Sequence, residues 1–143
     1  LKVTKDIFEP HSGGFHPSLS WDKNSEPDFA GPGNENARYN IYRSVIRTCQ
    51  PDSVVEFEVI AEISSDSGSY IDTDMTLYPE GTGSVLCTDL FRSVMYKIEA
   101  VDNTGLASLH SDRSLINGYA AQCDDSSLTG ITHNGLPVKF SVC

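Results

Sequence analysis

Four histidines carry the side chain best suited to acid–base chemistry near neutral pH: His11, His16, His110 and His133. A hydrolytic triad needs a nucleophile on a strained turn, a general base and an orienting acid. The sequence has no G-x-S-x-G motif, and His110 in SLHSD lies beside ordinary serines in an extended stretch. We therefore predict that the protein is not an enzyme, that it has no catalytic residues, and that the histidines lie on the surface or in loops.

Acidic and amide side chains alternate in DKNSEPD, where Asp22, Asn24, Glu26 and Asp28 offer the oxygen ligands that Ca²⁺ prefers. The spacing resembles the start of a calcium loop, but the glycine at the sixth position and the distant bidentate glutamate are missing. The same residues suit an ordinary solvated turn, which is the interpretation we favour. They remain the calcium candidates of the chain, and we expect no cofactor.

The cysteines Cys49, Cys87, Cys123 and Cys143 form an even set with wide spacings. No C-x-x-C motif occurs, which disfavours zinc sites, thioredoxin-type redox chemistry and haem attachment. We favour disulfide bonds over four reduced cysteines. Disulfides place the chain in an oxidising compartment, so we predict that the protein is extracellular or lies on the cell surface.

Exposed aromatic rings would indicate carbohydrate binding, because sugars stack on flat apolar surfaces. Four aromatic residues fall in predicted loops or at strand edges, where their rings could be exposed: Phe29, Tyr78, Phe91 and Tyr119. Scattered rings of this kind are more typical of local packing anchors than of a binding platform. Polysaccharide is therefore a less favoured partner than protein.

The length and charge of the chain limit its class and its partners. A chain of 143 residues with 38% hydrophobic residues suits one folded domain with a short extension. The net charge of −10 argues against nucleic acid and anionic lipid as partners. No apolar stretch approaches the ~18 residues of a membrane span, so we expect no membrane insertion. The chain opens on LKVTKD without methionine, from which we expect a processed chain or a piece of a longer protein.

Short segments rich in Val, Ile, Tyr and Phe alternate between apolar and polar residues, and turn signals separate them. No stretch of helical length keeps a helical period without a breaker. Seven such strands with short loops predict an all-β, antiparallel sandwich. In YNIYRSV, Tyr39, Ile41 and Arg43 should face one side, with Tyr42 and Ser44 on the other.

Two further strands have predicted faces that the structure can test. In FHPSLSW, the apolar side chains share a face if Pro17 marks an edge or the start of the strand. In FEVIAEI, Glu58 and Glu62 should face away from the core. The alternation puts four side chains of this segment on the core face: Phe57, Val59, Ala61 and Ile63.

Five of the segments form a recognisable set: LSWDKNSEPDFAG, YNIYRS, FEVIAEI, SYIDTD and YKIEAVDNTGLAS. Together they resemble a fibronectin type III domain of the bacterial secreted kind, over roughly residues 1–119. The resemblance implies an immunoglobulin-like sandwich, with Trp21 in the core and with YNIYRSV and YKIEAVD as the adjacent strands C and F. An insertion after DFAG, a long E–F connection and residues 120–143 depart from the family pattern.

The resemblance also implies a pairing of the cysteines. Cys49 would lie in the C–C′ loop and Cys87 in the E–F loop, and these loops share one pole. The implied disulfides are Cys49–Cys87 and Cys123–Cys143, the second closing residues 120–143 into an extension with a hairpin through HNGLP. Cross-pairings between the sandwich and the extension stay open, because strand G ends at the same pole.

The resemblance is compatible with hosts as different as polysaccharide-degrading enzymes, adhesins and filaments, so the fold alone does not choose a function. We predict a non-catalytic structural or interaction module of a larger secreted or cell-surface protein or assembly, whose partners are other domains or subunits. One alternative is a carbohydrate-binding accessory module of a polysaccharide-degrading enzyme. A second is a filament subunit that adds a strand to a neighbour's sheet.

Overall fold

The computed structural model describes five segments of the chain and two short pairs of residues near its end. They are residues 1–9, 14–29, 32–47, 55–79, 91–119, 132–133 and 136–137. For some of them only the backbone is described: residues 6–9, 47, 91–92, 132–133 and 136–137. Within the described segments there is no helix that could span a membrane.

The described strands, in chain order, are β1 (Lys2–Glu9), β2 (Gly14–Ser20), β3 (Arg38–Arg47), β4 (Glu58–Ser64), β5 (Ser69–Ile71), β6 (Phe91–Val101), β7 (Ser114–Tyr119), β8 (Thr132–His133) and β9 (Leu136–Pro137). The first seven form two antiparallel sheets, with the strand orders β1-β2-β5 and β4-β3-β6-β7. Among the described residues, β8 pairs with β9 alone. The predicted all-β architecture of seven strands in two antiparallel sheets is therefore confirmed.

The pairing of β3 with β6 is the longest among the described strands. It runs in unbroken antiparallel register from Arg38 opposite Val101 to Arg47 opposite Arg92. The prediction that YNIYRSV and YKIEAVD are adjacent strands of one sheet is thus confirmed. Because side chains alternate across a strand, every second residue of this ribbon faces the other sheet and the residues between face outward.

The core lies between the two sheets and is closed at one end by aromatic rings. Trp21 follows β2, is buried, and packs edge-on against Tyr39 at 5.3 Å between ring centroids. Phe29 packs against the same Tyr39 ring at 4.9 Å. Tyr39 also accepts a hydrogen bond from the backbone N–H of Asn24 at 2.6 Å. Burying each such side chain stabilises the fold by about 1.5–3 kcal/mol.

The predicted face of FEVIAEI is wrong in its first half. Ala61 and Ile63 pack against the core as expected, but Val59 is 51% exposed and lies opposite Tyr42, which faces outward. The register shifts where Ile41 pairs with Ala61 and Tyr42 pairs with Val59, so Ile60 is an extra residue. A bulge of this kind reverses the alternation along the strand. It puts Val59 on the outer side.

Pro17 lies inside the central strand β2, and not at the edge or strand start that we predicted. In a regular antiparallel pairing, Pro17 and Asp72 would exchange two backbone hydrogen bonds, but proline has no N–H to donate the second one. The Asp72 N–H donates to the Pro17 carbonyl at 3.0 Å, and the Asp72 carbonyl accepts from the Met75 N–H at 3.3 Å. The turn after β5 thus supplies the donor that proline lacks, which is why proline is tolerated here.

A short segment after β5 joins the two sheets at their edges. Leu77 exchanges two backbone hydrogen bonds with Phe15 of β2, and Tyr78 exchanges two with Tyr119 of β7. The close approach needs a glycine, because a Cβ on Gly118 would lie 2.8 Å from the Leu77 Cβ. This segment ties the end of β7 to the opposite sheet.

Candidate interaction surface

The outward side of the sheet β4-β3-β6-β7, here called the outer face, carries a set of polar and aromatic side chains. Asn40 and Tyr42 project from β3, and they lie opposite Glu99 and Lys97 of β6. Their neighbours in sequence, such as Tyr39 and Ile41, belong to the core. The prediction that Tyr42 faces the side opposite Tyr39 and Ile41 is confirmed.

Cations and aromatic rings alternate across the outer face, in an arrangement we call the cation–aromatic ladder. The Lys97 ammonium lies 4.5 Å from the centroid of the Phe57 ring and 5.0 Å from that of Tyr42. The Arg113 guanidinium lies 5.5 Å from the Phe57 centroid. His110 meets the Tyr42 ring edge-on at 4.9 Å. Each cation–π contact at a partly exposed site is worth about 0.5–1 kcal/mol.

The ladder requires Phe57 to reach across the sheet. Phe57 precedes β4, which is the outermost strand, whereas Lys97 is in β6 and Arg113 directly precedes β7. Because neighbouring strands lie about 4.8 Å apart, a ring that contacts both cations must lie over the middle of the outer face. The bulge at Ile60 allows this, since it turns this end of the segment outward.

The Glu99 carboxylate is the acceptor that fixes one end of the ladder. It accepts hydrogen bonds from the Tyr42 hydroxyl at 2.8 Å and from the Asn40 amide at 3.1 Å. His110 Nε2 lies 3.7 Å from its other oxygen. Burial by itself would raise the pKa of Glu99, but these hydrogen bonds and the nearby His110 and Lys97 outweigh it and lower the pKa. The pKa of Tyr42 is raised, first by burial and then by Glu99.

Two serines hold His110 in place. The Ser108 N–H donates to the Ala100 carbonyl at 2.8 Å, and the Ala100 N–H donates to the Ser108 hydroxyl oxygen at 3.0 Å. Ser111 makes the same two-way contact with Ile98, at 2.8 and 3.0 Å. The hydroxyls therefore replace backbone acceptors, and the chain between the two serines bulges away from β6.

The residues in this bulge face solvent and the ladder. Leu109 is 95% exposed, and His110 folds back onto Tyr42. Each serine hydroxyl also donates to the carbonyl of the next residue, at 2.9 Å for Ser108 and 3.0 Å for Ser111. These hydroxyls are engaged with the backbone, which does not suit them to act as nucleophiles for His110.

The calcium candidates lie in the turn between β2 and β3. The Asn24 side chain accepts a hydrogen bond from the Glu26 N–H at 3.0 Å, and its amide donates to the Glu26 carboxylate at 3.2 Å. These hydrogen bonds agree with our interpretation of the segment as an ordinary turn. Across the described segments, no group of three or more His, Cys, Asp or Glu residues could hold a metal ion. Calcium binding by Asp22, Asn24, Glu26 and Asp28 stays a prediction.

The other predicted sites lie partly or wholly outside the described residues. His16 Nδ1 lies 2.9 Å from the Met75 carbonyl oxygen, within the β2–β5 region. His11 is not described, and neither is the side chain of His133. All four cysteines fall outside the described residues, so the disulfides Cys49–Cys87 and Cys123–Cys143 stay predictions.

Of the four aromatic residues whose rings could have been exposed, two are buried, which agrees with the packing anchors that we favoured. Phe29 packs under Tyr39 and is 2% exposed, and Tyr119 is buried where its backbone pairs with Tyr78. Tyr78 is half-buried, and the Phe91 side chain lies outside the described residues. The accessible aromatic surface instead includes Tyr42 and Phe57. Sequence reasoning missed it because strand periodicity put Phe57 on the core face.

Directly behind the ladder lies a second cation–tyrosine–carboxylate group, the inner network of Arg43, Asp72 and Tyr96. Asp72 is fully buried and accepts hydrogen bonds from the Tyr96 hydroxyl at 2.7 Å and from the Arg43 guanidinium at 3.0 and 3.2 Å. Arg43 also donates to the exposed Glu58 at 2.8 Å. Burial, followed by Asp72, raises the pKa of Tyr96 far above its ordinary value. The inner network joins the two sheets.

A scan against protein-family models finds no match to the chain, and a search of the curated proteins finds none either.

Proposed function

We propose that this chain is a non-catalytic interaction module of the fibronectin type III kind, part of a larger secreted or cell-surface protein or assembly. We further propose that it contacts its partner through the outer face. The observation that carries this proposal is the cation–aromatic ladder. The ladder holds five side chains in contact on the outer face, and none of the five belongs to the core between the sheets.

The strand arrangement supports the family assignment. Taken in chain order as A, B, C, C′, E, F and G, the strands β1–β7 place C beside F in one sheet and Trp21 after strand B of the other. That is the arrangement implied by the resemblance in sequence. An extracellular location follows from the predicted disulfides and from this family type.

The chemistry of the outer face supports contact and not catalysis. The cations of the ladder contact its aromatic rings, and the hydrogen-bond donors around Glu99 lower the pKa of that carboxylate. Apolar side chains flank the ladder, since Val59 and Leu115 are each 51% exposed. Ordered aromatic and arginine side chains beside exposed apolar ones are typical of protein contact surfaces.

Strand addition has less support as a mode of contact. β4 ends its sheet, but it carries the bulge at Ile60 and the exposed glutamates Glu58 and Glu62. Bulges and charges on an edge strand disfavour pairing with another strand. At the other edge, Tyr78 already pairs with the end of β7 at Tyr119.

The first test is the size of the species in its native source, measured by mass spectrometry without reduction and by light scattering. We expect a longer polypeptide or a larger assembly that contains this segment, with each disulfide lowering the mass by two hydrogens. A free chain of 15.6 kDa that turns over a substrate would contradict the proposal.

The second test locates the contact. Affinity capture from the native source should recover the same partner with the wild-type chain and with Ile71→Glu, which changes an exposed apolar residue of the opposite sheet. Capture should be lost with Leu115→Glu. Equal capture by both variants would rule out the outer face as the contact surface.

A further inference from the structure

Asn117 and Gly118 form an asparagine–glycine pair inside β7. In such a pair the backbone nitrogen of the glycine can attack the side-chain amide carbon of the asparagine, because glycine has no Cβ to hinder the approach. Asparagine is counted among the thermolabile residues of proteins. The pair therefore contains both reacting groups of a self-modification that needs no enzyme.

The packing of the fold imposes the glycine of this pair. Gly118 is buried, and a Cβ at this position would lie 2.8 Å from the Leu77 Cβ and 3.1 Å from the Tyr78 carbonyl oxygen. Asn117, in contrast, is exposed. The close contact that ties β7 to the opposite sheet thus places an exposed asparagine directly before a required glycine.

In the folded protein the attacking nitrogen is engaged in the sheet. Tyr119 exchanges two backbone hydrogen bonds with Tyr78, so its N–H and C=O point away from β6. Because these groups alternate in direction along a strand, those of Gly118 point toward β6, where the backbone of Arg92 lies opposite. The Gly118 nitrogen is therefore held in the pairing of β7 with β6.

The amide that would be attacked is also held. The Asn117 side-chain oxygen accepts a hydrogen bond from the Ser93 hydroxyl of β6 at 2.9 Å. Ring closure needs rotation about the backbone and side-chain bonds of Asn117, which the extended strand and this hydrogen bond restrict. Both reacting groups are released together when β7 separates from β6.

We propose that Asn117 is a latent site of spontaneous deamidation, closed while β7 pairs with β6, and that its reaction makes the opening of β7 irreversible. On opening, the Gly118 nitrogen bonds to the Asn117 Cγ, and the amide nitrogen leaves as ammonia together with the Gly118 amide proton. One water molecule then opens the cyclic imide. Cleavage of the Cγ–N bond gives aspartate, and cleavage of the bond between the backbone carbonyl carbon and the nitrogen gives isoaspartate.

The isoaspartyl product does not fit β7. Its backbone runs through the former side chain and is one methylene longer, so Gly118 and Tyr119 no longer lie level with Arg92 and Phe91. An insertion into one strand disrupts the local pairing, as a bulge does. The end of β7 then loses its register with Tyr78 as well, and a chain that has once opened stays altered.

Peptide mapping of the full chain by mass spectrometry measures the reaction at mildly alkaline pH, in buffer and in guanidinium chloride above the unfolding midpoint. Asn134 also precedes a glycine, lies outside the described residues, and serves as the reference in denaturant. There the two sites should react within about threefold of each other, since an unfolded chain retains only fluctuating local structure.

In buffer, Asn117 should react at least about 100-fold more slowly than in denaturant, which corresponds to an opening free energy of at least about 2.7 kcal/mol. Denaturant added below the midpoint should raise the rate, because it increases the open population. Far-ultraviolet circular dichroism checks that the chain is folded in buffer.

Two variants test the consequence for the fold. Asn117→Gln keeps an amide but closes the larger ring only slowly, and untreated Asn117→Asp carries the new charge on a normal backbone. After incubation in denaturant and refolding, the wild type should contain a fraction with a lowered urea midpoint that matches its isoaspartate content at residue 117. Asn117→Gln treated alike should lack this fraction, and Asn117→Asp should unfold near the wild-type midpoint.

Equal rates at Asn117 in buffer and in denaturant overturn the inference, because β7 would then not close the site. An Asn117 that stays unmodified in denaturant while Asn134 reacts overturns it too. Isoaspartyl chains that refold with the midpoint of the untreated wild type contradict the proposed irreversibility.

Discussion

The inner network and the cation–aromatic ladder each pair a cation with a tyrosine across the strands β3 and β6. Arg43 and Tyr96 face each other across β3 and β6 toward the core, and Tyr42 and Lys97 do so one residue along, toward solvent. The inner network buries its carboxylate completely, whereas Glu99 of the ladder keeps 13% of its side-chain surface exposed.

That difference in burial separates the roles of the two groups. A buried charge that loses its partner is costly, because neither water nor another side chain can replace it. A partly exposed cation that loses its aromatic neighbour is simply solvated. We infer that the inner network serves the fold, while the ladder is free to serve binding. The following predictions test this division, beginning with the largest expected effect.

Asp72→Asn should be the most destabilising change. It removes the charge that pairs with Arg43 inside the protein, and loss of one partner of a buried pair costs about 3–5 kcal/mol. The midpoint and slope of urea unfolding give the free energy. Glu58→Gln, which removes the exposed partner of Arg43, is the control and should cost less than about 1 kcal/mol. Equal losses in the two variants would refute the division between buried and exposed charges.

Gly118→Ala should cost about 1–3 kcal/mol, since an added Cβ would lie 2.8 Å from the Leu77 Cβ and 3.1 Å from the Tyr78 carbonyl oxygen. Thermal unfolding of the variant measures the loss. The neighbouring Asn117 is exposed, so Asn117→Ala should change stability by less than about 0.5 kcal/mol. An alanine tolerated equally at both positions would mean that β7 does not pack closely on the segment joining the sheets.

The ladder should weaken in acid as the Glu99 carboxylate becomes protonated. The pKa of Glu99 lies below its ordinary value of 4.5, so its stabilising contribution is complete above that pH and is lost as the pH falls through the lowered pKa. Urea midpoints measured from pH 6 downward should fall more in the wild type than in Glu99→Gln. Parallel curves for the two proteins would show that Glu99 contributes nothing to this acid sensitivity.

Lys97→Gln should have the smallest effect on stability, about 1 kcal/mol or less, because it removes two partly exposed cation–π contacts. Its effect on capture of the partner should be larger than its effect on unfolding, which is the signature of a contact residue. Affinity capture and urea unfolding of one preparation compare the two. A loss of several kcal/mol would place Lys97 with the inner network as a structural residue.

Local pattern was sufficient to predict the strands. The two-residue alternation of YNIYRSV and YKIEAVD, with turn signals on either side, predicted β3 and β6 and the antiparallel sandwich. The alternation failed for Phe57 and Val59 because a bulge leaves no mark in a sequence of apolar residues. The expectation that Pro17 marks an edge or the start of a strand failed for a different reason, because the donor that compensates for proline comes from Met75, far along the chain.

The sequence by itself therefore determined the strand class, the outward orientation of Tyr42 and the excess of negative charge. The strand class and the orientation depend on residues that are near one another in the chain, and the net charge is a sum over the composition. The tertiary structure decided which outward side chains meet. The ladder joins Tyr42, Phe57, Lys97, His110 and Arg113 from separate segments. Their contacts depend on the register between strands and on one bulge, and a shift of one residue would send each side chain to the other face.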